Sequence, residues 1–529
     1  MDQGTLADSA HGLKQGQSPL MRAASNNAPW VVQKFGGTSM GKFAATIAQD
    51  IVSPSLHSRR VAVVCSARSA YTKAEGTTNR LLRAAHEADI AGSTQYASVV
   101  DLVREDHLDA AGTNIISPEI LKGLLEAIKE ECRELSVFLE ATQRVGEVSS
   151  RSEDKIVSTG EKLSCRLLEA ILRDSGIGAE LVDLSDVITS KASDGLDQEF
   201  YSDVAAAFAR RLSACEDKVP VITGYFGTVP GGLLNKIGRG YTDLCAALVA
   251  VGIQAEELEV WKEVDGIFTA DPRKVPTARL LPTITPAEAA ELTFYGSEVI
   301  HPFTMEQVIR ARIPIRIKNV MNPQGSGTVI FPDSAAELYA PTAGHDPTMF
   351  RVRSSSSLAR ERPRRPTAVT IKHRILVLNV HSNKRSLSHG FFAKIFSTLD
   401  KWRLSVDLIS TSEVHVSMAL HSQSALLTEG GEQEVEVLDH DLGGAIRELQ
   451  EYGTVDIIPG MAILSLVGKQ MKNMVGIAGR MFSTLGENNV NIEMISQGAS
   501  EINISCVIEE RDADRAINIL HTNLFTFLE

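Results

Sequence analysis

The chain has 529 residues, of which 43% are hydrophobic and 22% charged, and its formal net charge is −13. This length exceeds what one hydrophobic core usually serves, so several domains are expected. The acidic balance argues against a non-specific nucleic-acid binder, and no apolar run reaches the ~20 residues of a membrane span.

The N-terminal segment, residues 1–28, is rich in Gly, Ser, Asn and Gln and shows no apolar periodicity. Such a composition predicts a disordered tail. The segment contains no apolar core of a secretory signal, and the six cysteines form no CxxC pair. A cytoplasmic protein with free thiols is therefore expected.

Short apolar segments and a long helical stretch follow the tail. The strand-like segments are 30–35, 61–65, 219–224, 258–261 and 313–317. Residues 80–175 instead repeat apolar side chains at three- and four-residue spacing, which is typical of helices. Buried strands that alternate with helices predict an α/β domain with a mainly parallel sheet, over about 29–335.

The segment KFGGTS, residues 34–39, begins where the first strand ends. Paired glycines let backbone N–H groups approach a phosphate closely, and a following helix N-terminus favours the anion. Lys34 supplies a positive charge beside them. Residues 36–39 are therefore a candidate phosphate loop, although a double glycine taken alone is better explained as a simple tight turn.

The same region imitates a Walker A loop. Gly36, Gly41 and Lys42 have the required spacing, but Phe43 stands where that loop needs a Ser or Thr hydroxyl for Mg²⁺. We interpret the spacing match as chance.

A glycine-rich segment occupies residues 224–240 and runs into the sequence Tyr241-Thr242-Asp243. So many glycines indicate unusual backbone angles or a close approach to a ligand. Arg239 offers a bidentate fork for a carboxylate or phosphate. Thr242 and Asp243 precede an Ala-rich helix, so two interpretations stay open, N-capping alone or capping combined with a role in a site.

The segment WKEVDGIFTADPRK, residues 261–274, follows a strand and ends in a Pro turn beside two cations. A loop of this kind can hold the adenine and polyphosphate of a nucleotide. In isolation a solvated, charged loop is the better interpretation.

Between residues 336 and 367 the composition shifts to Arg, Ser and Pro, which predicts a flexible linker. Serines among arginines also leave open a phosphorylation switch. A solvated linker is the simpler interpretation.

The C-terminal part contains an internal repeat. The matching pairs of segments are 396–399 with 482–485, 406–410 with 492–496, and 414–417 with 502–505. Each copy has the pattern strand, helix, strand, strand, which predicts two βαββαβ domains of the ferredoxin-like type, 368–457 and 458–529. Residues 421–455 look like an insertion followed by the closing helix of the first copy.

Taken together, six segments resemble the aspartate kinase family within the amino-acid kinase superfamily, and the repeat resembles its paired ACT domains. The segments are KFGGTS, TNRLL at 78–82, STGEKLS at 158–164, GRGYTD at 238–243, WKEVDGIFTADPR at 261–273 and YGSEVIHP at 295–302. The residues of the segments GRGYTD and WKEVDGIFTADPR are most similar to those of the monofunctional fungal enzymes. The resemblance implies an amino-acid kinase fold followed by two α+β ACT domains, and transfer of phosphate from ATP to the side chain of L-aspartate.

The resemblance also implies a nucleotide site. Lys34 would contact the transferred γ-phosphate, and Asp243 would orient Lys34 and the phosphate loop. Mg²⁺ would accompany ATP, and we assign no protein ligands to it. The residues that would contact or border ATP are Lys34, Gly36, Gly37, Thr38, Ser39, Lys262, Glu263, Phe268 and Arg273.

For the acceptor, the resemblance implies that Glu161 binds the ammonium group of aspartate. Arg239 would pair with its α-carboxylate. Thr78 and Thr242 would also contact the substrate.

Two positions depart from the bacterial pattern of the family. Tyr241 replaces a glycine, which removes backbone freedom there. Glu298 stands where many bacterial members have a nucleotide-contacting lysine, which puts a direct role of this position in doubt.

The ACT pair implies feedback inhibition by an amino acid and a homodimer or a larger homo-oligomer. Threonine is the expected effector, and lysine is the alternative. The effector site would include Gly390, Asp407, Thr411, Ser412 and Glu413.

Two other functions compete with this interpretation. Another member of the superfamily could act on glutamate, carbamate or a nucleotide, and a catalytically silent amino-acid sensor could use the ACT pair alone. The ordered motifs argue against the first. The presence of Lys34, Arg239 and Asp243 argues against the second.

Overall fold

The computed structural model describes residues 28–526 except for 70–71, 73–74, 189–195, 230, 297–299, 301, 332–364, 383–389, 413, 422–428, 431–433, 436–438, 470 and 499–501. The chain divides into two compact units, Met1–Glu263 and Val264–Glu529, and each is described by itself. Residues 1–27 of the predicted tail and 336–364 of the predicted linker lie outside the described residues.

The first unit contains a parallel sheet. Its strands are β1 (Trp30–Phe35), β2 (Arg60–Cys65), β3 (Ala179–Val182), β4 (Val219–Thr223) and β5 (Glu257–Lys262). They pair in the order β3–β4–β2–β1–β5, all parallel. The strands are buried along nearly their whole length, as parallel strands covered by helices usually are. The parallel sheet predicted from the short apolar segments is confirmed in this unit.

Helices make up most of the rest of the first unit. They are α1 (Gly37–Lys42), α2 (Ala44–Thr46), α3 (Ser53–Ser55), α4 (Thr77–Asp89), α5 (Gln95–Asn114), α6 (Pro118–Val145), α7 (Ser150–Asp174), α8 (Gln198–Leu212), α9 (Leu233–Ile237) and α10 (Tyr241–Gly252). Helices α4 to α7 confirm the helical pattern predicted for residues 80–175.

The ends of the two longest helices follow local rules. Helix α6 has proline at its first position and ends at Gly146, whose φ of 78° is left-handed. Helix α7 begins after Ser149, whose hydroxyl accepts a hydrogen bond from the backbone N–H of Ser152.

The second unit begins with a small mixed sheet. Its strands are β6 (Thr283–Ile284), β7 (Ile315–Asn319) and β8 (Thr328–Ile330), where β8 pairs antiparallel with β7 and parallel with β6. Helices α11 (Pro286–Phe294) and α12 (Pro302–Arg310) lie between β6 and β7 in the chain. A reciprocal capping box between Thr285 and Glu288 starts α11.

The internal repeat forms the rest of the second unit. Its strands are β9 (Ala368–Ser382), β10 (Val406–Thr411), β11 (His415–His421), β12 (Glu429–Gly430), β13 (Glu434–Val435), β14 (Gly453–Val467), β15 (Met494–Ser496) and β16 (Asn503–Glu509). Its helices are α13 (Phe391–Lys401), α14 (His440–Leu449), α15 (Ile477–Glu487) and α16 (Ala513–His521). Six of the strands form one antiparallel sheet in the order β10–β11–β9–β14–β16–β15.

The two copies match in detail. Helices α13 and α15 each have 11 residues and each follow a left-handed glycine, Gly390 with φ of 89° and Gly476 with φ of 83°. Strands β10 and β11 pair in the first copy as β15 and β16 do in the second. The two-fold α+β architecture predicted from the repeat is confirmed.

Two strands belong to both copies. Residues 368–372 of β9 pair with 463–467 of β14, and residues 375–382 of β9 pair with 453–461 of β14. The proposed boundary at 457/458 therefore lies inside a continuous strand. Within the predicted insertion the described residues form the β12–β13 pair and helix α14.

The helices of the described residues include none that is long and apolar enough to cross a membrane. All six cysteines are buried and have free thiols.

Candidate active site and effector region

Lys34 lies near the carboxyl end of β1, which is hydrogen-bonded to β2 on one side and β5 on the other. Its ammonium Nζ is 2.6 Å from Oδ1 of Asp243, and the two side chains are 12% and 17% exposed. A cation and an anion so far removed from water hold each other in a fixed position. The structure thus brings together the two residues predicted to be catalytic.

The candidate phosphate loop, residues 36–39, forms the start of α1. Gly36 occupies the N-cap position, and no side chain caps the helix there. A Cβ on Gly37 would lie 2.4 Å from the carbonyl oxygen of Ala67, so only glycine fits at this position. The hydroxyl of Ser39 donates a hydrogen bond of 2.7 Å to Glu263. Two residues predicted to border the nucleotide, Ser39 and Glu263, therefore contact each other.

Glu161 lies on α7 and is 2% exposed. Its carboxylate accepts hydrogen bonds from the hydroxyl of Thr242 and from the backbone N–H of Tyr225, both at 2.7 Å. Burial raises the pKa of Glu161 to about 7, against the opposing effect of these hydrogen bonds. Gly224 allows the close packing, since a Cβ there would lie 2.5 Å from Thr242. The structure thus brings together Glu161 and Thr242, two residues predicted to contact the substrate.

Helix α10 places Thr242 and Asp243 inside its first turn. Gly240 holds the N-cap position, and the helix begins at Tyr241. The interpretation of Thr242 and Asp243 as N-caps is therefore wrong. Their side chains reach Glu161 and Lys34 instead, because the glycine turn before the helix leaves the first turn facing these two residues.

Tyr241 supports Glu161, which the sequence did not reveal. It is 6% exposed, and its side chain lies close enough to the Glu161 carboxylate for the two to influence each other's pKa. Burial, and after it the charge of Glu161, raise the pKa of Tyr241 well above its usual range. The sequence analysis noted Tyr241 only because it replaces a glycine of the bacterial pattern.

Asp154 is a second residue that the sequence analysis missed. It is 4% exposed, and its carboxylate accepts hydrogen bonds from the backbone N–H groups of Leu233 at 2.6 Å and Leu234 at 3.0 Å. It thereby fixes the start of α9, the short helix that precedes the turn with Arg239. Asp154 and Glu161 are seven residues apart on one buried face of α7, and this spacing is a signal that could have revealed it.

The structure gives fewer contacts for the other residues of the first unit that were predicted to bind aspartate or the nucleotide. Thr78 is the second residue of α4 and is partly buried. Arg239 lies in the 3₁₀ turn Gly238–Gly240, and its side chain lies outside the described residues. Lys262 ends β5, next to Glu263.

Phe268 and Arg273 belong to the second unit. Phe268 forms an isolated β-bridge with Leu280. The guanidinium of Arg273 is bound to its neighbour Asp271, with Nε to Oδ1 at 3.0 Å and Nη2 to Oδ2 at 2.8 Å, and its side chain is 87% exposed. Glu298 lies outside the described residues.

A groove of about 830 Å³ lies on the first unit, lined by residues of α6 and α7 and by Tyr225. Two of its charged residues neutralise each other, since Lys162 Nζ lies 3.0 Å from Glu131. Another cation, Lys155, lies over the ring of Phe138 at 4.7 Å. The groove reaches Tyr225, whose backbone N–H binds Glu161. Its charged side chains do not form a cluster of one sign.

In the predicted effector region, Asp407 is the buried residue. Its side chain is 4% exposed, and its Oδ1 lies 2.8 Å from Nζ of Lys372. Its Oδ2 is buried and has no hydrogen-bond partner among the described residues. The Lys372 ammonium also lies 4.7 Å from the ring centre of Phe294. Lys372 therefore fixes Oδ1 of Asp407, while Oδ2 has no hydrogen-bond partner among the described residues.

The other effector residues are exposed. Gly390 precedes α13 in a left-handed conformation, Thr411 ends β10, and the backbone N–H of Ser412 donates to the carbonyl of His415. Glu413 lies outside the described residues. The described residues of this set other than Asp407 therefore lie at the exposed ends of their elements.

No group of three or more His, Cys, Asp or Glu side chains in the described part of the chain could hold a metal ion. Two carboxylates, Asp243 and Glu263, contact Lys34 and Ser39 respectively. Hard oxygen donors of this kind suit Mg²⁺, which is usually held by one or two carboxylates together with substrate phosphates. The chemistry of each of these carboxylates suits a metal ion that enters with a nucleotide.

Comparison with known proteins identifies relatives over nearly the whole chain. A family model described as "Amino acid kinase family" matches residues 29–319, and one described as "ACT domain" matches residues 464–524. An aspartokinase of Schizosaccharomyces pombe is 54% identical over 94% of this chain and 92% of that protein.

Two crystal structures of Escherichia coli aspartokinase III have the same fold. Each is 27% identical to this chain and covers 94% of it and 99% of the other chain. The structure in complex with aspartate and ADP, the R-state, gives a TM-score of 0.67. The structure in complex with lysine and aspartate, the T-state, gives 0.69.

Proposed function

This chain belongs to the aspartokinase family and is an aspartate kinase, and we propose that it transfers the γ-phosphoryl group of ATP to the side-chain carboxylate of L-aspartate under inhibition by threonine. The observation that carries the proposal is the ion pair of 2.6 Å between Lys34 and Asp243, beside the phosphate loop. The product would be the mixed anhydride 4-phospho-L-aspartate.

Lys34 is proposed to neutralise the transferred phosphoryl group. Asp243 holds its ammonium at the end of β1, so the charge is in position before the substrates bind. Residues 36–39 would receive the phosphates through backbone N–H groups. Glu263 binds the hydroxyl of Ser39 and so fixes the far end of that loop.

Recognition of aspartate is assigned to Glu161 and Arg239. Glu161 would bind the ammonium group of the substrate, and Arg239 its α-carboxylate. The hydroxyl of Thr242 and the backbone N–H of Tyr225 orient the Glu161 carboxylate. With both backbone charges of the substrate held, the length of its side chain decides which carboxylate reaches the phosphate. Thr78 is the remaining proposed contact.

No general base is required for this reaction. The side chain of aspartate has a pKa of about 3.9 and is already ionised at neutral pH. The difficulty is to bring a carboxylate up to a triphosphate, because both are negative. Position and charge neutralisation therefore supply the catalysis, and the residues around Lys34 suit this task.

Mg²⁺ is the proposed cofactor, with ATP as the donor. Asp243 and Glu263 are the residues that would hold it next to the phosphates. When bound, the ion would neutralise charge on the phosphate oxygens. Lys262, Phe268 and Arg273 are proposed to border the nucleotide.

Threonine is the proposed effector, and lysine is the alternative. The E. coli relative is crystallised with lysine, which keeps the alternative open. In this chain the buried Asp407 is already neutralised by Lys372 at 2.8 Å. A site whose carboxylate is already paired favours an effector with a neutral side chain over one with a second ammonium group. Inhibition would be a coupling free energy of typically 1–3 kcal/mol.

Three further assignments remain proposals. The domain limits are 29–335 for the kinase domain, 368–457 for the first ACT domain and 458–529 for the second. A homodimer or larger homo-oligomer through the ACT domains is proposed, and a cytoplasmic location stays a prediction.

The test is the initial rate of aspartyl hydroxamate formation with Mg-ATP and hydroxylamine, first alone and then with threonine or lysine. A rate that depends on aspartate and falls with threonine alone supports substrate and effector together. Inhibition by lysine alone would replace threonine in the proposal. No rate with aspartate would favour another acceptor or an amino-acid sensor.

A further inference from the structure

Arg68 lies in the loop between β2 and α4 and is almost completely buried, with 7% of its side chain exposed. Its guanidinium Nη1 donates to Oδ2 of Asp106 at 2.5 Å and to the backbone carbonyl of Asp106 at 2.8 Å. Asp106 belongs to α5, a helix with no predicted active-site residue. A buried arginine needs such a partner, and this one connects the loop to a distant helix.

The backbone of Arg68 is bound as firmly as its side chain. Its N–H donates to the hydroxyl of Ser164 on α7 at 2.8 Å, and its carbonyl accepts from the N–H of Thr77 at 3.2 Å. Ser164 lies one turn after Glu161 and bonds the carbonyl of Gly160. One residue thus joins the loop to the helix of Glu161 and to the start of α4.

The neighbours of Arg68 lie directly against the phosphate loop. The N–H of Ser69 donates to the carbonyl of Gly37 at 2.8 Å. The carbonyl oxygen of Ala67 lies only 2.4 Å from the position that a Cβ on Gly37 would take. We call residues 67–69 the strap. Helix α1 is short and has no side-chain cap, so the strap is a main support of the phosphate loop.

The cluster around Arg68 contains one further titratable residue. His107 follows Asp106 and is fully buried, and its Nδ1 bonds the carbonyl of Val103. Burial, and after it the charge of Arg68, lower the pKa of His107 to about 4. His107 is therefore neutral near pH 7, and Asp106 is left as the anion that holds Arg68.

We propose that Arg68 is a positioning residue for phosphoryl transfer, which holds the strap against Gly37 and so fixes the phosphate loop relative to Lys34. The inference rests on the proposed role of residues 36–39. Arg68 itself contacts neither substrate in this scheme. Its two-point bond to Asp106 sets the position of the strap, and the strap sets the position of the loop.

The experiment compares Arg68→Met, Arg68→Lys and the double variant Arg68→Met with Asp106→Asn. Arg104→Met is the matched control, because Arg104 lies on the same helix as Asp106 but pairs at the surface with Asp101. For each variant we would measure kcat and both KM values, the melting temperature, and amide hydrogen exchange of the peptide that contains residues 36–42.

Arg68→Met is expected to lower kcat by about 10²-fold, because a small misplacement of a reacting group has this effect. The KM for aspartate should change less than about threefold, and exchange of residues 36–42 should accelerate. Arg68→Lys should recover most of the activity, and Arg104→Met should match the parent protein. If Arg68→Met does not fold, the double variant decides, because it leaves no unpaired buried charge.

The double variant separates positioning from stability. We expect it to regain the melting temperature of the parent protein while kcat stays low and exchange stays fast. Recovery of kcat together with stability would show that Arg68 is only structural. Unchanged exchange of residues 36–42 in the folded variants would also overturn the proposal, and this readout holds whichever acceptor the enzyme phosphorylates.

Discussion

The catalytic region of the first unit and the effector region of the second differ in how their polar residues are held. Lys34, Asp243, Glu161 and Thr242 are buried or nearly so and are bound in pairs. In the effector region only Asp407 is buried, and the other described residues lie exposed at the ends of elements. The difference shows that the charges proposed for catalysis are already paired in the folded chain, whereas most described residues proposed for the effector site are open to solvent.

The largest effect is expected when the cation of the catalytic region is removed, and this tests whether its charge acts as proposed. Lys34→Ala should lower kcat by about 10³-fold, because a preorganised charge beside the transferred phosphoryl group is lost. Lys42→Ala, at the exposed end of α1, is the control. Hydroxamate formation and circular dichroism would be measured on both. Turnover of Lys34→Ala near that of the control would rule out the role of Lys34.

The acceptor side of the same region is tested by Glu161→Gln. The amide keeps the shape, and its one oxygen can still accept the hydrogen bond from the backbone N–H of Tyr225, but it loses the charge and the second acceptor oxygen that Thr242 uses. Charge-assisted hydrogen bonds contribute about 1.5–3 kcal/mol, so kcat/KM for aspartate should fall by about 10²-fold. The KM for ATP should stay within about twofold. Equal losses for both substrates would point to a damaged fold instead.

The pH profile adds a smaller, graded effect. Burial raises the pKa of Glu161 to about 7, and only the ionised form can bind the substrate ammonium. We expect kcat/KM for aspartate to fall about tenfold per pH unit below that value. The profile of Glu161→Gln should lack this limb. A profile of the parent protein that stays level down to pH 5 would contradict the assignment.

The same pKa predicts how stability depends on pH. Between 4.5, the ordinary value, and about 7, the folded protein binds more protons at Glu161 than the unfolded chain does. The contribution of Glu161 to the free energy of unfolding therefore decreases as pH rises through this window and is constant above it. Denaturation of the parent protein and of Glu161→Gln at several pH values would measure it.

The effector region should respond to a change that leaves catalysis intact. Asp407→Asn removes the charge that Lys372 holds and should raise the threonine inhibition constant by about tenfold, within the usual range of allosteric coupling. The value of kcat without threonine should be unchanged. Asp400→Asn, on the exposed side of α13, is the control. Unaltered inhibition would remove Asp407 from the effector site.

The smallest expected effect concerns the support of the catalytic region. Ser149→Ala removes the N-cap of α7, the helix that carries Glu161, and should lower the free energy of unfolding by about 1 kcal/mol. Activity should not change, because the cap lies three turns from Glu161. Urea denaturation followed by an assay at saturating substrate would test both statements. A loss of kcat would mean that the N-cap is needed to keep α7, and with it Glu161, in position.

The sequence predicted the elements of the fold well because their signals are local. Continuous apolar segments marked β1, β2 and β4, and the repeated motifs marked α13 and α15. The sharing of β9 by both copies could not be predicted, because it depends on pairing between residues about 70 to 100 positions apart.

For the candidate site, the sequence predicted a set of residues but not how they contact one another. The pairing of Lys34 with Asp243 followed from resemblance, and the geometry agrees with it. The roles of Tyr241 and Asp154 escaped notice because a buried polar residue is recognised by its partners, which lie far along the chain. Thr242 and Asp243 were interpreted as caps because they precede the Ala-rich segment, whereas the helix already begins at Tyr241.

The long strands β9 and β14 have a consequence for how the second unit comes apart. Each runs through both copies of the repeat and pairs with the other along nearly its whole length. A cut between the copies would leave two fragments, each with half of a strand pair and a new unprotected sheet edge. The duplicated halves can therefore neither unfold separately nor be exchanged one at a time, and amide protection in β9 and β14 should be lost in a single cooperative step.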